Sequence, residues 1–202
     1  VSESEAENVT NEPLTQEGPS DLTAVAADDL TAVAADDITA VAAEIEVHVA
    51  AAGWDRPPAL FALVRAARFR ADDPDTASRL GLDDVDPDTL TPIEQEELPD
   101  GALDEVLAQI GWPDGVEGCA LSQEIVVLPP SVEAELSDDE AVSLAAGHPD
   151  RREARLVVAV VRGGASGAIM RLRAPEGFAT DDIVTGPDLA PNLVRALLDT
   201  FD

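Results

Sequence analysis

The sequence predicts an α+β fold, an antiparallel four-stranded sheet flanked by helices in the order α-β-α-β-α-β-β-α. Three observations carry this. A helical stretch, a Gly-Trp pair, prolines and then an apolar run follow one another twice. The first instance is Ile45–Val64, with Gly53-Trp54, Pro57-Pro58 and LFALV; the second is ALDEVLAQIGWPDGVEGCALSQEIVVLPP at 102–130. The run ARLVVAVVR (154–162) is apolar on both strand faces, the mark of a central strand. Near the end, Leu189, Leu193, Leu197 and Phe201 recur at helical spacing.

Residues 1–36 read as a disordered acidic tail and 37–202 as a single domain. The first 20 residues are Glu, Ser, Thr, Asn and Pro with almost no apolar anchors, too few to offset the entropy of ordering. An octapeptide then repeats in tandem: DLTAVAAD at 21–28, DLTAVAAD at 29–36 and the variant DITAVAAE at 37–44. Eight residues drift by roughly 80° on a helix, so three copies build no straight stripe; slippage in the coding DNA is the preferred reading, and a partner-binding amphipathic helix the functional one. Residues 1–44 hold 11 carboxylates and no basic residue.

Ile38, Val41, Ile45, Val49 and Ala52 predict the first domain helix, ended by Gly53. Each Gly-Trp junction is expected to close its helix with a left-handed glycine that turns the tryptophan back onto the core. ALFALVRAARFR (59–70) fits a helix opening on proline as well as a strand. The strand is preferred, because two prolines precede a run of strand length and Phe61, Leu63 and Phe69 then share a face. A short helix at 76–80 and an acidic loop over 82–101 lead to a helix at 102–110. The strand at 116–128 turns Cys119, Leu121, Ile125 and Val127 to one face. Ser131 and the capping box Ser137–Glu140 predict helix over 131–146. Gly163–Gly167 turns the chain from ARLVVAVVR into AIMRLR (168–173), and the last helix covers 188–201.

Composition bounds the partners. The formal charge is −30, with 42 carboxylates against 12 basic residues, every one of them arginine. Such a chain repels nucleic acid and anionic membranes at long range. With no charged-then-apolar leader and no apolar run of spanning length, the expected location is cytoplasmic.

No catalytic, metal or cofactor constellation emerges. His48 and His148 lack neighbours at metal-ligand spacing, and His148 in Gly-His-Pro-Asp reads as a helix stop. Cys119 alternates with core positions and reads as a small buried hydrophobe. DDVDPD (83–88) has no glycine for a calcium-loop turn. Gly163–Gly167 lacks the lysine and following helix of a phosphate loop. The patterned polar feature is arginine. Arg68 and Arg70 are expected on one face of one strand, and Arg171 and Arg173 on one face of another. Pairing with local carboxylates is the plain reading of these four. A face that docks an acidic peptide or carboxylate is the functional one.

AAGWDRPPALFALV (51–64), GWP…GCAL…E…LPP (111–130), HPDRREARLVVAVVR (148–162) and GPDLAPNLVRALLDTF (186–201) together resemble an uncharacterised family of actinobacterial proteins named after a propionibacterial locus. The resemblance runs from about Ile38 to the end. It implies a bacterial cytoplasmic setting and transfers no catalytic residue. By fold analogy, a helix-flanked antiparallel sheet is also similar to type III secretion chaperones. The expected function is a non-enzymatic, protein-binding or chaperone-like adaptor, with a homodimer as one form. The alternative is a small-molecule sensor or enzyme using arginines and carboxylates.

Overall fold

The apolar spacing of the third octapeptide produces a helix, α1, over 38–50, which buries Ile38, Val41, Ala42 and Ile45. The computed structural model describes residues 38–128, 148, 151–174, 181–186 and 189–202. The expectations for the tail at 1–36 and for helix at 131–146 lie outside them. After α1 come β1 (Ala59–Arg65), α2 (Ala66–Asp72), α3 (Pro74–Arg79), β2 (Leu90–Glu94), α4 (Leu103–Leu107), β3 (Gly118–Val127), β4 (Arg152–Val161), β5 (Ser166–Leu172), β6 (Asp182–Thr185) and α5 (Pro191–Asp199). The strands form one six-stranded sheet in the order β2-β1-β3-β4-β5-β6, with every pairing antiparallel.

The fold is therefore α+β and antiparallel as expected, but with six strands where the sequence predicts four. Both additional strands are edges taken for loop. β2 carries Pro92 at its centre and β6 is four residues long, so neither presents a full alternating pattern.

A second correction concerns 59–70. The strand stops at Arg65, and Ala66-Ala-Arg-Phe-Arg-Ala-Asp72 winds into α2. Alanine and arginine are good helix formers, and Arg68 reaches Asp72 one turn on at 2.6 Å. Arg68 and Arg70 thus sit on a helix and share no strand face. The junctions also divide. Gly53 takes φ 88° as a left-handed cap, whereas Gly111 is not left-handed. Its helix has already ended at Leu107, with Ala108 holding the right-handed C-cap.

Helices cover both faces. On one, α1 packs on Phe61, Leu63, Ala120, Val157, Ala159 and Ile169. On the other, Leu107 of α4 and Leu197 of α5 meet Leu60, Cys119, Leu121, Leu156, Val158, Val160 and Ala168. The tryptophans go to opposite faces. Trp54 lies beneath two guanidiniums on the α1 side. Trp112 stacks on Phe201 at 6.3 Å and donates to Thr200 Oγ1 at 2.9 Å on the α5 side. α1 meets β5 closely at Gly167, where a Cβ would come within 2.6 Å of the Thr39 backbone nitrogen.

Because α1 opens inside the third octapeptide, the second copy can replace it. Deleting residues 37–44 brings 29–36 into the same seat, with net changes of only Ile38→Leu and Glu44→Asp. The melting temperature is expected to fall by no more than about 5 °C, since a volume-conserving core swap costs under about 1.5 kcal/mol. Deleting one residue fewer, 38–44, instead delivers Thr31, Ala34 and Asp36 to the seats of Ile38, Val41 and Ala43. That is expected to cost more than about 3 kcal/mol. Calorimetry that finds the two deletions equally stable would refute this account of α1.

Candidate functional site

One group of charged side chains on the α1 face gathers towards the C-terminal end of α1. Glu46 is fully buried, and Arg171 of β5 meets it with two bonds, Nε to Oε1 at 2.5 Å and Nη2 to Oε2 at 2.6 Å. Arg155 of β4, equally buried, lies 3.7 Å from Glu46 and 3.1 Å from Glu124 of β3. Arg155 and Arg171 are direct cross-strand partners, and Glu124 pairs with Arg155 in the next ladder. Like charges thus stand side by side, and Glu46 from above and Glu124 from the flank neutralise them.

The Gly53 turn closes the group. Arg155 Nη2 donates to the Gly53 carbonyl, its guanidinium stacks 4.5 Å from the Trp54 ring centroid, and the Asp55 amide donates to Glu124 at 2.9 Å. Arg173 lies over the same ring at 5.2 Å and bonds Glu153. Asp181, 3.8 Å from Arg171, completes the outer side. The bond to Glu46 first, and then the neighbouring carboxylate charge, hold the Arg171 guanidinium above its usual range despite burial.

The four arginines of the sequence analysis do not converge. Arg171 and Arg173 belong to this lattice. Arg68 bonds Asp72 on α2, and Arg70 Nη1 ties down the following loop through the carbonyls of Leu82, Asp83 and Val85. Sequence reasoning missed Arg155 and Glu46, the two most buried charges. A signal for each was present: Arg155 shares the period-two face of Val157 and Ala159 in the apolar run, and Glu46 follows Ile45 on the inward side of α1.

Chemistry elsewhere is held in the core or at the surface. The Cys119 thiol is buried beside Leu197 and Thr200, and burial pushes it up to about 11. His48 pairs with Glu94 of β2 at 3.1 Å on the surface. Among the described residues, no three His, Cys, Asp or Glu side chains are grouped to hold a metal, and no helix is long and apolar enough to cross a membrane.

Among the described residues, two features remain open. One is a cleft of about 840 Å³ at the N-terminal end of α1, bordered by Ile38, Val41, Leu90 and Val161 with Arg65 and several carboxylates. The other is the β6 edge. Gly186 N donates to Ala168 O, so the pairs 186/168, 184/170 and 182/172 carry the ladder bonds to β5. The N–H and C=O groups of Ile183 and Thr185 therefore point outward. The opposite edge is interrupted at its centre. Gln95 N bonds Leu60 O and Ala66 N bonds Thr89 O, so Pro92 faces outward and offers no donor.

Removing the Glu46 carboxylate leaves a fully buried guanidinium short of its counterion. Glu46→Ala is expected to cost about 3–5 kcal/mol in urea unfolding, whereas Glu153→Ala at the exposed pair costs under ~1 kcal/mol. A Glu46→Ala loss below about 1 kcal/mol would show the lattice to be dispensable. The thiol gives a pH signature. An unfolded thiol ionises near 9 while the folded one keeps its proton to about 11, so stability is intact below that window and falls as pH climbs through it. Cys119→Ala should lack this fall, and parallel pH profiles of the two proteins would contradict it.

No curated protein and no solved structure matches the chain. The model of one family, described as PPA1309-like protein, matches residues 38–202, which takes in α1, all six strands and α5 and leaves out the first two octapeptides. The chain therefore belongs to the PPA1309-like family, an uncharacterised family named after a Propionibacterium acnes locus.

Proposed function

We propose that the chain is a non-enzymatic protein-binding module of the cytoplasm that accepts an extended segment of its partner as a seventh strand on β6. The observation that carries this is the asymmetry of the sheet. Pro92 interrupts the outward donors at the middle of the β2 edge, while β6 directs the main-chain groups of Ile183 and Thr185 outward without such a break. Ile183 and Val184 are also 52% and 37% exposed, one on each face, so an added strand gains apolar contact on both sides. Strand addition draws affinity from main-chain bonds and specificity from alternating side chains.

Charge selects the segment. Asp182 and Asp181 beside the edge are paired with Arg152 and Arg171, so the selecting charge is the −30 of the whole chain, with no further basic residue in the sequence between Arg173 and Arg195. A basic segment is drawn to this edge; nucleic acid, anionic membrane and a second copy of the chain are repelled. With Arg171 and Arg173 bonded to Glu46 and Glu153, the adaptor role rests on the edge and no longer on an arginine face.

The test uses a defined probe, the heptapeptide KVKVKVK, with the full chain. Binding is expected to slow hydrogen exchange at the Ile183 and Thr185 amides and to shift β5–β6 resonances. Thr185→Pro removes one outward donor without touching a bond to β5, and should abolish binding with little change in melting temperature. Unaltered peptide binding by Thr185→Pro would sink the reading. So would amides of Ile183 and Thr185 already protected in a stable dimer, because the occupant would then be a second copy.

A further inference from the structure

The cleft at the N-terminal end of α1 lies at the other side of the sheet from β6 and is independent of strand addition. Its floor is apolar: Ile38 and Val41 of α1, Leu90 of β2 and Val161 of β4. At about 840 Å³ it falls within the range of small-molecule sites, which are mostly apolar with a few placed polar groups. Four carboxylates border it, Glu44, Asp86, Asp88 and Glu117, against two arginines, Arg65 and Arg162.

Both arginines are engaged. Arg65 Nε donates to both oxygens of Glu117 at 2.8 Å, and Arg65 Nη1 donates to Asp88 Oδ1 at 3.3 Å. Arg162 donates to the carbonyls of Val116, Trp112 and Pro113 at 2.8–3.2 Å, and its plane rests 4.6 Å from the Phe201 ring centroid. Glu117 and Asp88 are thus neutralised by Arg65, whereas Glu44 and Asp86 have no arginine partner among the described residues. The remaining charge at the rim is negative, and the −30 of the chain adds to it.

From this we infer that the cleft binds a small aliphatic ammonium compound, its apolar body on Ile38, Val41, Leu90 and Val161 and its cationic head at Glu44 and Asp86. A carboxylate-headed amphiphile of the same length meets arginines already bonded and a negative field. The site is distinct from the lattice around Glu46, whose carboxylates are occupied by arginine.

The experiment compares octylammonium, octanoate and octanol on the full chain by calorimetric titration and by methyl shifts. Octylammonium is expected to bind saturably, moving the methyl resonances of Ile38, Val41, Leu90 and Val161, with octanoate and octanol at least tenfold weaker. Glu44→Gln with Asp86→Asn, both at exposed positions, should weaken octylammonium about tenfold and leave octanol unchanged. The amide of Asn still accepts the Asp88 N–H bond that Asp86 now accepts at 2.9 Å, so the loop is preserved. Equal binding of octanoate, or a double variant that binds octylammonium like the parent, would overturn the assignment.

Discussion

Glu46 is the point at which α1 is fixed to the sheet. The apolar contacts of the helix are non-directional, and the residues that make the first of them recur upstream: Leu30 and Val33 match Ile38 and Val41, as do Leu22 and Val25. Apolar packing alone leaves the register of α1 underdetermined. A slide by one octapeptide would put Ile38 where Glu46 now meets Arg155 and Arg171, and Asp37 where Ile45 now lies in the core. Arg155, fully buried, and Arg171, partly buried, would lose their shared carboxylate, and another carboxylate would enter hydrocarbon. A buried ion pair is weak evidence for net stability but is well suited to selecting one register among near-equivalent ones. The lattice serves that role here.

The same lattice shapes what the surface can offer. Arg155 lies at the hub, held by Glu46, Glu124, the Gly53 carbonyl and the Trp54 ring, so the first Gly-Trp junction completes an electrostatic arrangement as well as ending a helix. The second junction lies on the opposite face and does apolar work, with Trp112 against Phe201 and Thr200. Arginine is consumed internally on one face and by backbone carbonyls near the other, while unpaired carboxylate is left at the rim of the cleft. That distribution is why both proposed ligands are cationic in a chain whose first apparent polar pattern is arginine.

Much of the architecture was legible because periodicity reports burial. ARLVVAVVR is β4, at the middle of the sheet, and the stripe Leu189–Phe201 is the α5 face. The two edges were not legible, since an edge strand is half solvated and needs no full apolar pattern. Ile183-Val184-Thr185 is a β-branched run that could have marked β6, whereas Pro92 in β2 argued against a strand for the very reason it suits an edge. The α2 turn was hidden because alanine and arginine alternate without distinguishing the two periods. Among candidate site residues, Arg171 and Arg173 were found by period two. Their partners were not, because Glu46 is 125 positions from Arg171 and nothing local links them.

That separation has a consequence for how the protein is made. At about 5–20 residues per second, the ribosome needs roughly 6–25 s to travel from Glu46 to Arg171. Through this interval the nascent chain displays Ile38, Val41 and Ile45 with no completed sheet to cover them, and β1 waits for β3 before its own core face closes. The carboxylates upstream of α1 are already outside the exit tunnel by then, an anionic leader on an unfinished domain. Two such unfinished chains carry like charge ahead of an uncovered helix, and like charges repel at long range.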